Sequence, residues 1–184
     1  FIHSLKVNDT VVTAHSDKEA AIHNHYDSIL GATKQRSSTI NWGQIHMPTI
    51  QGGGLDNPFS EEEVWAAIQA SPAEKSPGPD GFNGTFFRSC WQIIKVDVMQ
   101  AFNQFYNLAG NNFGLLNSAI VALIPKKDGA NDINHYRPIS LIHSIAKLVS
   151  KALSIRLAPI VQRIISPAQT AFLKTRCLHD SFVD

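Results

Sequence analysis

The sequence predicts a helix-rich α+β fold. Three observations predict it. Several stretches place apolar residues at three- and four-residue steps between capping residues and glycine or proline stops. One short apolar run, Ala119 to Ile124, halts at Pro125. A second extended piece, Tyr136 to Ile142, follows after a loop of about ten residues. The 184 residues, 43% hydrophobic and 17% charged, suffice for one ordinary domain with a core.

Residues 6–13 (KVNDTVVT) read as two short strands about an Asn8-Asp9 turn. Ser16 and Glu19 have the spacing of a capping box and open a helix. Its apolar stripe is Ile22, Tyr26, Ile29 and Leu30, and Gly31 can end it in a left-handed conformation. Residues 32–58 are polar, with Gly52-Gly53-Gly54 and two prolines, and read as a linker. No Gly-Lys-Ser/Thr follows those glycines, so they are not read as a phosphate cradle.

Ser60 and Glu63 form a second capping box, with Phe59 and Val64 at the positions of a hydrophobic staple. That helix carries Trp65 and Ile68 and stops near Ser71-Pro72. In KSPGPDGF, residues 75–82, two prolines fix φ and two glycines permit tight turns, which makes a rigid shaped loop. From Thr85 a long amphipathic helix runs to a stop at Gly110. Its Phe87, Trp91, Ile94, Val98, Phe102 and Phe105 have core spacing, which favours packing over a base-stacking platform.

Ala119 to Ile124 reads as a buried strand, and Pro138 favours an extended Arg137. The two extended pieces then form an antiparallel ribbon. Ser144 could cap the last helix, which packs through Ile145, Leu148, Ala152 and Leu157 and places Lys147, Lys151 and Arg156 elsewhere. Ser166-Pro167 marks its end. There is no internal repeat.

Composition narrows the functional classes. No apolar run approaches the roughly 20 residues that span a bilayer. The opening FIHSLKVNDT is not a signal peptide and begins with Phe1, so a piece of a longer protein is expected. Two cysteines, Cys90 and Cys177, do not make a disulfide framework or a zinc knuckle. His23 and His25, two apart on a helix, cannot share a face. The net charge of +1 hides an uneven spread: residues 1–120 hold seven Lys and Arg against eleven acids, whereas 121–176 hold nine against two. Such a basic segment suits a phosphate-bearing partner, and a solvated helix face accounts for it equally well on charge alone.

Within that segment Lys126, Lys127 and Arg137 fall at the base of the expected ribbon. A lysine offers a point charge and an arginine a planar fork for two oxygens, so the three could clamp a triphosphate. Spacing alone leaves solvated surface charge as the competing reading.

Several blocks then occur in one order: KSPGPDGF at 75–82, Phe86-Phe87 and Trp91, Leu116-Asn117, AIVALIPK at 119–126 and YRPISL at 136–141. Lys147, Ser150-Lys151, Arg156-Leu157, Ile165, Gln169, Ala171-Phe172, Arg176 and Asp180 continue the series. Together they resemble the fingers region of the reverse transcriptase of LINE-type, non-LTR retrotransposons, especially plant elements. The resemblance implies a partial reverse transcriptase domain at 59–184 and, at 1–58, a connector upstream of the polymerase.

It also implies the fingers subdomain of a right-hand RNA-directed DNA polymerase with RNA template, DNA primer and dNTP as partners of the intact parent. Lys126, Lys127 and Arg137 would contact the phosphates of the incoming nucleotide. The loop residues Lys75, Ser76, Pro77, Gly78, Asp80 and Gly81 would shape the fingers and could touch template. Asp80 is expected to stabilise a turn, not to bind metal. The family's palm carboxylates, which hold Mg²⁺, come after the stretch matched here, so the chain is expected to hold no metal and carry no catalytic residue. It is not expected to polymerise alone. A non-catalytic nucleic-acid-binding module and a decayed transposon relic are the alternatives. An intracellular setting, nuclear or cytoplasmic, is expected, without a membrane partner.

Overall fold

The computed structural model describes residues 2–7, 10–31, 38–44, 54–107, 113–166 and 169. Expectations for Asn8-Asp9, Gly52-Gly53, Gly110, Pro167, Ala171-Phe172, Arg176, Cys177 and Asp180 lie outside the described residues. The fold is α+β and helix-rich, with two small two-stranded sheets. Two compact units divide it: Phe1–Trp42 with Val121–Ser140, and Gly43–Ile120 with Leu141–Asp184.

In the first unit, β1 (Leu5–Val7) pairs antiparallel with β2 (Thr10–Val12), Leu5 opposite Val12. Leu5 is fully buried. The Lys6 amide donates to the Asn131 carbonyl, extending the pairing to the segment near Asp132. Helix α1 (His15–Tyr26) follows, but the expected Ser16 capping box is absent. The cap is Ala14, two residues before Ser16, and the helix starts at His15. Ser16 therefore lies inside the first turn, and its hydroxyl donates to Asp17 instead.

Buried Lys18 anchors the chain start, its ammonium donating to the carbonyls of Ile2 and His3. The expected apolar stripe also breaks. Ile22 and Tyr26 are half-buried, whereas Ile29 and Leu30 are 60% and 74% exposed. A π-helical turn, Asp27–Gly31, follows α1, and its wider winding rotates later side chains out of phase. Gly31 is the last described residue of this turn, and its φ is not in the left-handed region.

In the second unit, α2 (Glu61–Ala70) begins as its sequence indicates: the Ser60 hydroxyl oxygen accepts the Glu63 amide at 3.3 Å, and Phe59 and Val64 are buried. The Glu63 carboxylate does not reach back. It binds the Arg156 guanidinium through both oxygens. Helix α3 (Gly84–Tyr106) is capped by Asn83, whose side chain accepts the Phe86 amide at 3.0 Å.

Phe87, Trp91, Val98 and Phe102 of α3 form one core with Phe59, Val64, Ala67 and Ile68, and with Leu148, Val149 and Ala152 of α5 (Ser144–Ile164). Trp65 stacks on Trp91 at 5.4 Å, and Phe59 meets Phe102 edge-on at 5.0 Å. Leu157, expected in this core, is largely exposed. Its neighbour Arg156 takes the packed position: the guanidinium covers the Phe59 ring at 4.1 Å and donates to the carbonyls of Leu55, Asn57 and Pro58. A short helix, α4 (Phe113–Leu116), leads into the ribbon.

Candidate functional site

The ribbon consists of β3 (Ala119–Pro125) and β4 (Tyr136–Ile142). The expectation of a buried β3 is corrected: Ile120 and Ile124 are 52% and 49% exposed. The reason is architectural, because β3 pairs only with β4 and no further strand extends that sheet among the described residues.

Pro125 ends the strand, and the Lys126 amide donates to the His135 carbonyl at 2.7 Å, closing the ribbon base. The intervening loop is tied at further points. Asp132 Oδ1 accepts the Asn134 amide at 2.8 Å and the Asn134 side-chain amide at 2.9 Å, which caps a 3₁₀ turn over Ile133–His135. Donation from the Asn134 backbone, then from its side chain, holds the Asp132 carboxyl below its ordinary range. Gly129 takes a left-handed φ of 67°, and the Tyr136 hydroxyl donates to the Ala130 carbonyl at 2.7 Å.

Of the three cations at this base, Lys126 is committed: its ammonium donates to the Asn134 carbonyl at 2.7 Å. Lys127 and Arg137 are exposed and without hydrogen-bond or ion-pair partners among the described residues. The nearby His135 Nδ1 is buried, with no hydrogen-bond partner among the described residues, so it is not accessible to a ligand. Sequence reasoning missed Asp132 as the organiser of this loop. Its signal is an Asp two residues before Asn134, the spacing of an Asx turn.

The KSPGPDGF residues form a second arrangement. The Gly81 amide donates to the Gly78 carbonyl at 3.0 Å, closing a turn with Pro79 in its second position, and Gly81 has φ 72°. Gly78 lies against the backbone that enters α5: a Cβ there would stand 2.1 Å from the Ile142 carbonyl oxygen. Asp80 accepts the Ser144 amide with Oδ2 and the Phe82 amide with Oδ1 at 3.4 Å. His143 Nδ1 lies 3.7 Å from its carboxylate.

The expected Ser144 cap is thus corrected. Ser144 is the first helical residue, His143 at the cap position makes no side-chain capping bond, and Asp80 supplies the acceptor from across the sequence. The Ser144 hydroxyl is directed at the Phe82 carbonyl. Lys147 donates to the Ser76 carbonyl at 3.1 Å, while Lys75 and Pro77 are exposed. The fold therefore joins Ser76, Gly78, Asp80 and Gly81 into one brace on α5. Among the described residues no cluster of three or more His, Cys, Asp or Glu is placed to hold a metal ion. No described helix is long and apolar enough to cross a membrane.

A helix-rich α+β chain with a cation-bearing ribbon and a braced proline-glycine loop matches no protein-family model. It is similar to the uncharacterized 149 kDa protein of transposon TX1 from Xenopus laevis, with 30% identity over 127 residues. The match takes in 69% of this chain and 10% of the relative, so the chain spans about a tenth of that protein's length. The chain is related to a transposon-encoded protein.

Proposed function

We propose that the chain is part of the fingers of an RNA-directed DNA polymerase of a non-LTR retrotransposon, the part that grips the incoming deoxynucleoside triphosphate and binds template. The observation that carries this reading is the closure of the ribbon base. The bond from the Lys126 amide to the His135 carbonyl sets these residues opposite one another. Lys126 and Lys127 directly follow β3, and Arg137 is the second residue of β4, so this bond brings all three to one end of the ribbon. Lys127 and Arg137 keep their donors uncommitted among the described residues. Similarity to a transposon-encoded protein supports the same reading.

In this role the residues make no bonds. Arg137 takes two phosphate oxygens with its fork, and Lys127 and Lys126 add point charges. The clamp aligns the triphosphate and neutralises charge that develops on the leaving pyrophosphate. In the intact parent, Mg²⁺ held elsewhere would activate the primer hydroxyl. The loop at 75–82 shapes the scaffold by holding the start of α5.

Equilibrium titration with a deoxynucleoside triphosphate tests the proposal. Arg137→Ala should abolish saturable binding, and retained wild-type binding would refute the grip. The excess of cations in 121–176 favours a second reading, a non-catalytic module that tracks a phosphate backbone. There the same substitution weakens RNA binding slightly and lowers the salt slope by about 0.7, the loss of one single-strand phosphate contact. Under the polymerase reading the 184-residue chain alone gives no template-dependent primer extension with Mg²⁺. Extension would show that this chain itself contains a catalytic centre.

A further inference from the structure

Ser118, His143 and Asp80 meet within the second unit in the order of a nucleophile, a base and an orienting acid. The Ser118 hydroxyl lies 3.2 Å from His143 Nε2, and His143 Nδ1 lies 3.7 Å from the Asp80 carboxylate. Asp80 is itself held in place, because it accepts the Phe82 and Ser144 amides. A carboxylate beside Nδ1 favours the tautomer with its proton there, which leaves the Nε2 lone pair facing Ser118. The Asp80 contact is longer than a hydrogen bond, as such contacts often are before substrate binds. The His143 and Asp80 side chains are only 20% and 16% exposed, whereas Ser118 is exposed, so a sheltered base faces an accessible hydroxyl.

Ser118 also closes the turn after α4. Its amide and its hydroxyl both donate to the Leu115 carbonyl, at 3.1 Å and 2.7 Å. A hydroxyl has one hydrogen, so rotation about the Cβ–Oγ bond is enough to pass it from Leu115 to Nε2.

The surroundings narrow the substrate. Leu116 and Asn117, the two residues before Ser118, line a groove of about 220 Å³ with Phe105 of α3 and Ile145, Val149 and Leu153 of α5. No lining residue is charged. The groove is smaller than the roughly 300 Å³ at which small-molecule pockets begin, so it suits a short apolar chain. The Asn117 side chain is exposed and without a hydrogen-bond partner among the described residues, which leaves its amide to donate to a carbonyl oxygen.

We propose that Ser118 is the nucleophile of a site that hydrolyses esters of short apolar acids. His143 is the general base, the Asn117 amide the donor to the oxyanion, and Asp80 positions His143. The activity is separate from the triphosphate grip and does not rest on it. Ser118 Oγ adds to the ester carbonyl carbon while its proton passes to Nε2. The bond to the alcohol oxygen then breaks, Nε2 returns the proton to that oxygen, and the acyl group stays on Ser118. Water repeats the addition with Nε2 as base. The acyl–Ser118 bond breaks, the proton returns to Oγ and the carboxylic acid leaves.

The test treats the full 184-residue chain with p-nitrophenyl butyrate, follows nitrophenolate release and maps the acylated residue by mass spectrometry. The butyryl group should be found on Ser118, and Ser118→Ala should abolish both the label and the release. His143→Gln should slow acylation roughly 100- to 10,000-fold. Asn117→Ala should lower kcat about 100- to 1,000-fold. Asp80→Asn, once shown to be folded by circular dichroism, should lower kcat and leave KM unchanged; an unchanged kcat would overturn its positioning role.

Release that persists in Ser118→Ala, or butyryl groups on lysines with Ser118 unmodified, overturns the proposal and leaves Ser118 as the end of a turn. So does acylation of Ser118 at the same rate in His143→Gln, since an exposed hydroxyl would then be reacting without a base. Should His143→Gln fail to fold, the mapped position and the exposed Ser118→Ala variant decide.

Discussion

Asp80 ties two parts of the chain that lie 64 positions apart, because one carboxylate accepts the Phe82 amide of its own loop and the Ser144 amide at the start of α5. A helix start leaves several amides unpaired, and an acidic acceptor there is favoured by the helix dipole as well. Asp80→Ala should lower stability by about 1–3 kcal/mol in urea unfolding, the cost of stranding a buried donor. Asp80→Asn keeps an acceptor oxygen and should lose less. Equal losses would mean that the carboxylate contributes through charge and not through the bond to Ser144.

Gly78 has a different constraint, since the atom that a Cβ would strike is a backbone oxygen that cannot swing away. Gly78→Ala should cost about 1–3 kcal/mol by overpacking, measured in the same unfolding experiment, and a neutral result would contradict the close approach. Asp132 gives a pH prediction. Its folded pKa is depressed by the Asn134 donors, so its contribution is present above the unfolded value and is lost as pH falls through the folded one. The Asn134 amide resonance should therefore titrate at a pH below the ordinary Asp value of about 3.9. A midpoint at or above that value would contradict the Asx turn.

At the scale of elements, the contact of α5 with α2 depends on Arg156. Its guanidinium binds both oxygens of Glu63, three carbonyls of the segment before α2 and the face of Phe59. The hydrogen bond it donates to Glu63 raises the Arg156 pKa further, so the group stays charged at any working pH. Arg156→Ala should destabilise by about 3 kcal/mol, as expected for one partner removed from a largely buried pair, and Arg156→Lys should recover little because an ammonium cannot reproduce the fork. Full recovery by lysine, read from denaturant midpoints, would reduce the interaction to simple charge.

The contrast with Ser60 shows what can be read locally. A cap three residues from its amide is visible in sequence, whereas a partner 93 positions away is not. The same contrast explains Ser144. Its residue type suits a cap, but the helix it would cap takes its acceptor from a loop 64 positions upstream. Gly31 and the Ser16–Glu19 pair went astray for another reason, because a π turn and a two-residue shift of the helix cap are below what periodicity can detect.

For the whole molecule, the long amphipathic α3 and the two extended pieces were legible because their periods are sustained or sharply bounded. The exposure of β3 was not. An apolar run looks the same whether its sheet has two strands or six, and only the sheet order decides. Half of the candidate site was similarly legible. Lys126, Lys127 and Arg137 could be placed at a ribbon base from strand ends and Pro125, but the commitment of the Lys126 ammonium to Asn134 needed coordinates.

A ribbon base that grips the phosphates of a nucleotide must respond to one in solution. The most direct measurement is a titration of the ¹⁵N-labelled chain with a deoxynucleoside triphosphate, followed by NMR at the Arg137 guanidinium Nε–H and the backbone amides of Lys126 and Lys127. Saturable shifts are expected at all three residues, and those at Lys126 and Lys127 should disappear in Arg137→Ala. Silence at the ribbon base during saturable binding, or shifts that survive the substitution, would contradict the grip.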